Sequence, residues 1–181
     1  MDDICKDCAL KLYNKVTNLQ GVGNPWTGRC IVVPNVDGRA YKGKDMSFSK
    51  QVDIINDTIS SMGVATDNLF IVPLIRCNEK ISCPIDNDSI SKCIKWFAKD
   101  VETYDFRDIL LLGSAVKRFL NVDIESNLDN VFVSQNNRRY FVNYSPFIYE
   151  NTDKYSVFET YLKKWWQSTI NGFYEYNLYM I

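Results

Sequence analysis

The sequence predicts an α/β fold, a three-layer αβα sandwich around a central, mostly parallel sheet. Three observations lead there. Short, continuously apolar runs such as Cys30-Ile31-Val32-Val33 and Ile109-Leu110-Leu111-Leu112 have the character of strands buried on both faces. The segments between them carry apolar residues at helical spacing, so strands and helices alternate along the chain. The 181 residues, 46% hydrophobic and 24% charged, suffice for one substantial core and leave little room for a second. Residues 1–181 are therefore expected to form a single domain, with 170–181 an aromatic C-terminal tail.

In chain order, a helix is predicted over 2–16, with Asp2 or Asp3 as its cap and Cys5, Cys8 and Leu12 on one face. Gly21, Gly23, Asn24 and Pro25 make a loop into the first strand, and a second loop with Asn35, Asp37, Gly38 and Gly43 follows it. Phe48, Val52, Ile55, Ile59 and Met62 keep helical spacing from 47 to 62, where Gly63 supplies the stop. Leu69 to Ile75 is the second strand. A loop through 78–87 leads to a helix over 88–102, on which Ile90, Cys93, Ile94 and Phe97 share a face. The third strand, 109–112, turns directly into a helix over 114–120 capped by Ser114. Residues 131–133 and 140–143 flank the polar tip Gln135-Asn136-Asn137-Arg138, as in a hairpin or two successive short strands. The last helix, 153–169, carries Phe158, Tyr161, Leu162 and Trp165 on one stripe, and Trp165-Trp166 is expected to pack in the core. The apolar tail should dock on its own domain or on a protein partner.

Composition narrows the chemistry. The chain has no His, which excludes imidazole acid/base catalysis, His-ligated metals and every His-containing triad. Its 21 basic and 22 acidic residues leave a net charge of -1, so binding to nucleic acid must rest on a local patch. The N-terminus lacks a basic and apolar leader and no stretch is long enough for a membrane span, so an intracellular, cytoplasmic protein is expected. Abundant Asn, Ile, Lys and Tyr would suit a phage or virus, in which case the location is the host cell. In a reducing compartment the six cysteines point to metal binding, catalysis or simple burial, not to a disulfide framework.

Four of those cysteines have a spacing. Cys5-x2-Cys8 stands near the N-terminus, and fifteen residues separate Cys77, at a strand end, from Cys93, on a helix. Four thiolates gathered this way can hold a [4Fe-4S] cluster or a structural Zn²⁺, or they can be unrelated buried thiols.

Longer motifs accompany them in order. Cys5-Lys6-Asp7-Cys8-Ala9-Leu10 is followed by Gly21-Val22-Gly23-Asn24, then Pro34-Asn35-Val36-Asp37-Gly38, with Phe48 ten residues further on. Val72-Pro73-Leu74-Ile75-Arg76-Cys77, Cys93, Leu112-Gly113-Ser114-Ala115-Val116 and Tyr144-Ser145-Pro146-Phe147 complete the series. In this order and spacing the chain resembles the iron-sulfur uracil-DNA glycosylases, the family-four branch of that superfamily. That family runs C-x2-C-x-L, G-x-G-N, G-E-A-P-G, P-F, T-N-V-V-K-C, a fourth Cys, L-G-x-x-A and Y-H-P-S.

The resemblance implies a uracil-DNA glycosylase-like fold, DNA as partner and a [4Fe-4S] cluster on Cys5, Cys8, Cys77 and Cys93. Cys30 and Cys83 would be buried bystanders. The family's catalytic Glu, stacking Phe, uracil-reading Asn and His fall on Asn35, Phe48, Pro73 and Ser145, so the stacking ring alone is retained. Asn35 can position water but cannot act as an anionic base. Pro73 offers the base neither side-chain nor backbone donor, and Ser145 donates one weaker bond than imidazole. A one-residue register shift would instead make Asp37 the water-activating carboxylate, on the pattern of the G-Q-D-P-Y loop in the main uracil-DNA glycosylases; an Asx turn is the other reading of Asp37.

The implied DNA surface comprises Arg39, Lys42 and Lys44 in the first motif loop, Arg138 and Arg139 before the last one, and Phe147 and Tyr149 as groove-inserting residues. Three functions follow as alternatives: a DNA-binding protein with a degenerate active site in replication, repair or DNA recognition; a glycosylase of altered base specificity, hence an N-glycosidic bond hydrolase; or a protein-interaction module that contacts its partner through the tail.

Overall fold

Alternate residues of one central strand face different layers, Ile31 and Val33 packing on one side and Cys30 and Val32 on the other. That strand is β2 (Arg29–Asn35) of a seven-stranded sheet with β1 (Val22–Gly23), β3 (Phe70–Ile75), β4 (Asp108–Leu112), β5 (Asn130–Val133), β6 (Arg139–Asn143) and β7 (Asn177–Met180). The computed structural model describes residues 3–15, 17–78, 84–171 and 176–181. The strand order is β1-β3-β2-β4-β6-β5-β7, with β3, β2, β4 and β6 mutually parallel, β1 antiparallel to β3, β5 antiparallel to β6, and β7 parallel to β5. Pro73 is accommodated in β3 because β1 pairs only with Phe70 and Ile71, leaving the edge free where the proline lacks its N–H.

Helices α3 (Lys50–Ser60) and α6 (Thr152–Asn171) cover one face of the sheet. Val52, Ile55 and Ile59 there meet Phe158, Leu162, Trp165 and Trp166 over Ile31, Val33, Leu110 and Phe141. On the other face α4 (Asn87–Thr103) and α5 (Ser114–Leu120) bring Phe97, Val101, Ala115 and Val116 against Val32, Val72, Ile109 and Leu111. The alternating α/β pattern and the mostly parallel sheet between helical layers are thus as predicted, and both tryptophans of the Trp165-Trp166 pair are buried.

Three segments depart from the expectation. The helix predicted over 2–16 is a 3-10 turn at Asp3–Cys5 and a short α1 (Ala9–Tyr13), because Asp7 adopts a left-handed conformation (φ 60°) and Cys8 is extended. The candidate cap Asp2 lies outside the described residues, as does the side chain of Asp3. The helix predicted from 47 begins at Lys50, where the Ser49 hydroxyl accepts from the Gln51 amide, and Phe48 ends a preceding 3-10 turn. The loop expected after β2 instead contains α2 (Gly38–Gly43).

The hairpin reading of 131–143 holds, β5 and β6 pairing antiparallel. Part of the tail docks on its own domain: β7 lies parallel to β5 from Asn130↔Asn177 to Val133↔Met180, with Leu178, Met180 and Ile181 exposed. The tail residues 172–175 are outside the description. No described helix is long and apolar enough to cross a membrane.

Candidate functional site

Cys5, Cys8, Cys77 and Cys93 line one cavity of about 410 Å³, together with Lys11, Thr17, Asn18, Gln20, Arg76 and Trp96. Three elements deliver them. The left-handed Asp7 and extended Cys8 turn the CxxC segment into a loop, Cys77 follows the end of β3, and Cys93 faces inward from α4 beside Leu10 and Ile75. Each sulfur has a polar neighbour. The Trp96 indole donates to Cys5 Sγ at 3.0 Å, and Cys8 Sγ lies 3.7 Å from Ser89 Oγ. The amides of Asn18 and Arg76 favour the thiolates of Cys77 and Cys93. Burial outweighs them: it raises the Cys77 thiol and pushes Cys93 up to about 11.

All four are free thiols, and among the described residues no three Cys, Asp or Glu side chains are grouped closely enough to hold one metal ion. Cys30 is fully buried in β2, with its thiol driven up by desolvation. Cys83 lies outside the described residues.

The other sequence motifs meet where the parallel strands end, the usual location of ligand sites in such sheets. Gly113, at the end of β4 with φ 53°, is packed so closely that a Cβ there would stand 2.8 Å from Ser145 Cβ and 3.3 Å from Pro34 Cγ. The ends of β2, β4 and β6 therefore touch through Pro34, Gly113 and Ser145. Beside this junction Ser145, Gly113, Ser114, Lys117, Tyr144 and Lys154 line a second cavity of about 460 Å³. Ser145 is itself committed to a turn, its hydroxyl accepting from the Phe147 amide at 3.3 Å.

Asn35 terminates β2, and its carbonyl accepts from Gln51 Nε2 at 2.9 Å. Phe48 is 53% exposed and its ring is seated directly over Gly43, where any Cβ would collide with it at 2.3 Å. Pro73 is buried mid-strand opposite Val33.

Both carboxylate oxygens of Asp37 accept hydrogen bonds. Its Oδ1 accepts from the amides of Arg39 (2.9 Å) and Ala40 (3.0 Å) as the N-cap of α2. Its Oδ2 accepts the Ser49 hydroxyl at 2.5 Å. The carboxylate is engaged in the local turn chemistry that was the other reading.

The basic residues divide between two ends of the sheet. Arg39, Lys42 and Lys44 surround α2 at the carboxyl end of the parallel strands, Arg39 paired with Asp53 at 2.9 Å and both lysines exposed. Arg138 and Arg139 stand at the opposite end, roughly 13 Å away along β6 at ~3.3 Å per residue. Arg139 grips the buried Asp108 at 2.6 Å and 2.8 Å, so this pair does not join the surface expected of it. Phe147, 38% exposed, follows Ser145, whereas the Tyr149 side chain lies outside the description.

Sequence reading overlooked Trp96 and Gln51. Trp96 stands three residues after Cys93 on α4, a spacing that places both on one face and could have been read from the helix period. No protein-family model and no curated protein matches the chain.

Proposed function

We propose that this chain is a DNA-binding iron-sulfur protein on a uracil-DNA-glycosylase-like scaffold, its active site no longer equipped for ordinary uracil excision, acting in DNA replication, repair or recognition. The observation that carries this reading is the convergence of Cys5, Cys8, Cys77 and Cys93 on one cavity from segments up to 88 positions apart. Tetrahedral Zn²⁺ holds sulfurs ~3.8 Å from one another at a Zn–S length of ~2.3 Å. Cysteines spread along the lining of a cavity of about 410 Å³ suit the larger [4Fe-4S] group better, and zinc is the alternative to be tested. The cluster would supply a negatively charged cross-link between the CxxC loop, β3 and α4, near the ligand-binding end of the sheet.

The degenerate site is supported residue by residue. Asp37 is bound into the α2 cap, Pro73 has no polar group to offer, and Ser145 accepts from its own turn. None of these is a free general base. The DNA surface would lie at the carboxyl end of the strands, with Lys42 and Lys44 for phosphates and the Phe48 ring for a base. A glycosylase of altered specificity is the second reading, favoured by the exposure of Phe48 beside the Asn35 loop.

Three measurements test this. Purified protein should be brown, absorb near ~400 nm and contain iron; stoichiometric zinc in a colourless sample would overturn the cluster. Binding to single- and double-stranded oligonucleotides should weaken steeply with salt, and no binding at low salt would remove DNA from the reading. A panel of modified-base substrates separates the two DNA readings, since excision of any base shows that catalysis survives.

A further inference from the structure

Of the four cavity cysteines, Cys5 is the most open: Cys8, Cys77 and Cys93 are 3%, 6% and 4% exposed, whereas Cys5 is only half-buried. Water and oxidants would reach a bound group first at that corner. The side chain standing there is Trp96, 8% exposed, whose indole N–H donates to Cys5 Sγ at 3.0 Å. No other side-chain N–H bonds a cavity sulfur among the described contacts.

Two cations lie against the same ring. Arg76 is 5.5 Å and Lys99 5.1 Å from its centroid. Arg76 is held by Asp100 and, at 3.1 Å, by Gln20, which also lines the cavity. Positive charge against an indole face is attracted by the ring electrons and polarises the N–H, strengthening it as a donor. A hydrogen bond to a cluster thiolate stabilises the more negatively charged, reduced state, so donors to sulfur raise the reduction potential.

We propose that Trp96, backed by Lys99 and Arg76, sets the reduction potential and the resistance to degradation of the cluster by hydrogen bonding Cys5 at its open corner. The inference rests on the iron-sulfur reading above. Trp96 acts through a ligand and is a positioning residue; it replaces bulk water at Cys5 with one fixed donor.

The test uses the full chain loaded with iron. Trp96→Phe keeps an aromatic ring and removes the N–H; voltammetry should show a more negative midpoint potential, and visible absorbance should bleach several-fold faster in air. Lys99→Gln removes an exposed cation without touching the cavity and should shift the potential in the same direction by a smaller amount. Wild-type potential and bleaching rate in Trp96→Phe would overturn the inference. Should that variant fail to load, Lys99→Gln decides, and an unchanged potential overturns it. A wild-type protein without iron removes the cluster reading itself, whereas an iron-loaded wild type indifferent to both substitutions removes this inference alone.

Discussion

The Ser49 hydroxyl donates to Asp37 Oδ2 across 2.5 Å, which makes one carboxylate both the cap of α2 and a strut to the start of α3. Replacing Asp37 with Ala removes the cap bonds and leaves Ser49, which is fully buried, without its acceptor. Caps contribute about 1 kcal/mol and hydrogen bonds to a charged group about 1.5–3 kcal/mol, so a loss of about 2–4 kcal/mol is expected in chemical denaturation. Asp37→Asn, which retains an acceptor, should lose less. Excision that disappears in Asp37→Ala with no loss of stability would restore the carboxylate as a catalytic base.

Gly113→Ala should disturb the motif junction. Its φ of 53° disfavours any side chain, and the added methyl meets Ser145 Cβ at 2.8 Å. We expect about 1–3 kcal/mol of destabilisation together with displacement of the Ser145–Phe147 turn, visible as weakened oligonucleotide binding. Wild-type stability and affinity would show that the three strand ends are less tightly coupled than the packing indicates.

Cys30 and Cys77 should behave oppositely. Cys77→Ser replaces a cavity sulfur and should abolish or sharply reduce iron content and visible absorbance. Cys30→Ser sits in the core of β2, fully buried, and should cost stability while leaving iron stoichiometry intact. Iron assays on both, normalised to folded protein by circular dichroism, separate ligand from bystander; equal loss in the two would dissolve that distinction.

Arg139 and Lys42 offer a similar contrast. Arg139→Ala removes the guanidinium bonds to Asp108, 7% exposed at the side chain, and should cost about 2 kcal/mol with little change in the salt dependence of DNA binding. Lys42→Ala should barely affect stability but reduce the salt slope by about one phosphate contact. A steeper effect on the slope from Arg139 than from Lys42 would move the DNA surface to the other end of the sheet.

Regular elements were legible where a single periodicity governed them. Helix α5 begins at Ser114 and ends at Leu120, the span read from the strand that feeds it, although its N-cap is Gly113 and not Ser114, and the buried runs at β2, β3 and β4 announced a sheet covered on both sides. The CxxC segment misled because cysteines at helical spacing also occur in a loop; the left-handed Asp7 is invisible to a hydrophobic pattern. Asp37 was ambiguous for a related reason, since capping and catalysis favour the same residue type before a short helix. Arg138 and Arg139 looked like part of the site because they precede Ser145 in sequence, yet the intervening strand carries the chain from one end of the sheet to the other. Trp96 escaped notice because an aromatic on a helix face ordinarily means core.

A group bound to all four cavity cysteines would also be a topological clasp. It would join position 5 to position 93, closing a loop of 88 residues that contains α1, β1, β2, α2, α3 and β3, while α5, α6 and β7 remain outside the clasp. Restricting the unfolded chain over such a span is worth about 4–5 kcal/mol on loop-closure grounds. Removal of the metal should therefore act unevenly, lowering hydrogen-exchange protection first in the half of the molecule that carries Asn35 and Phe48. The same clasp that fixes the N-terminal half would then determine whether the loops carrying Asn35 and Phe48 are held in place at all.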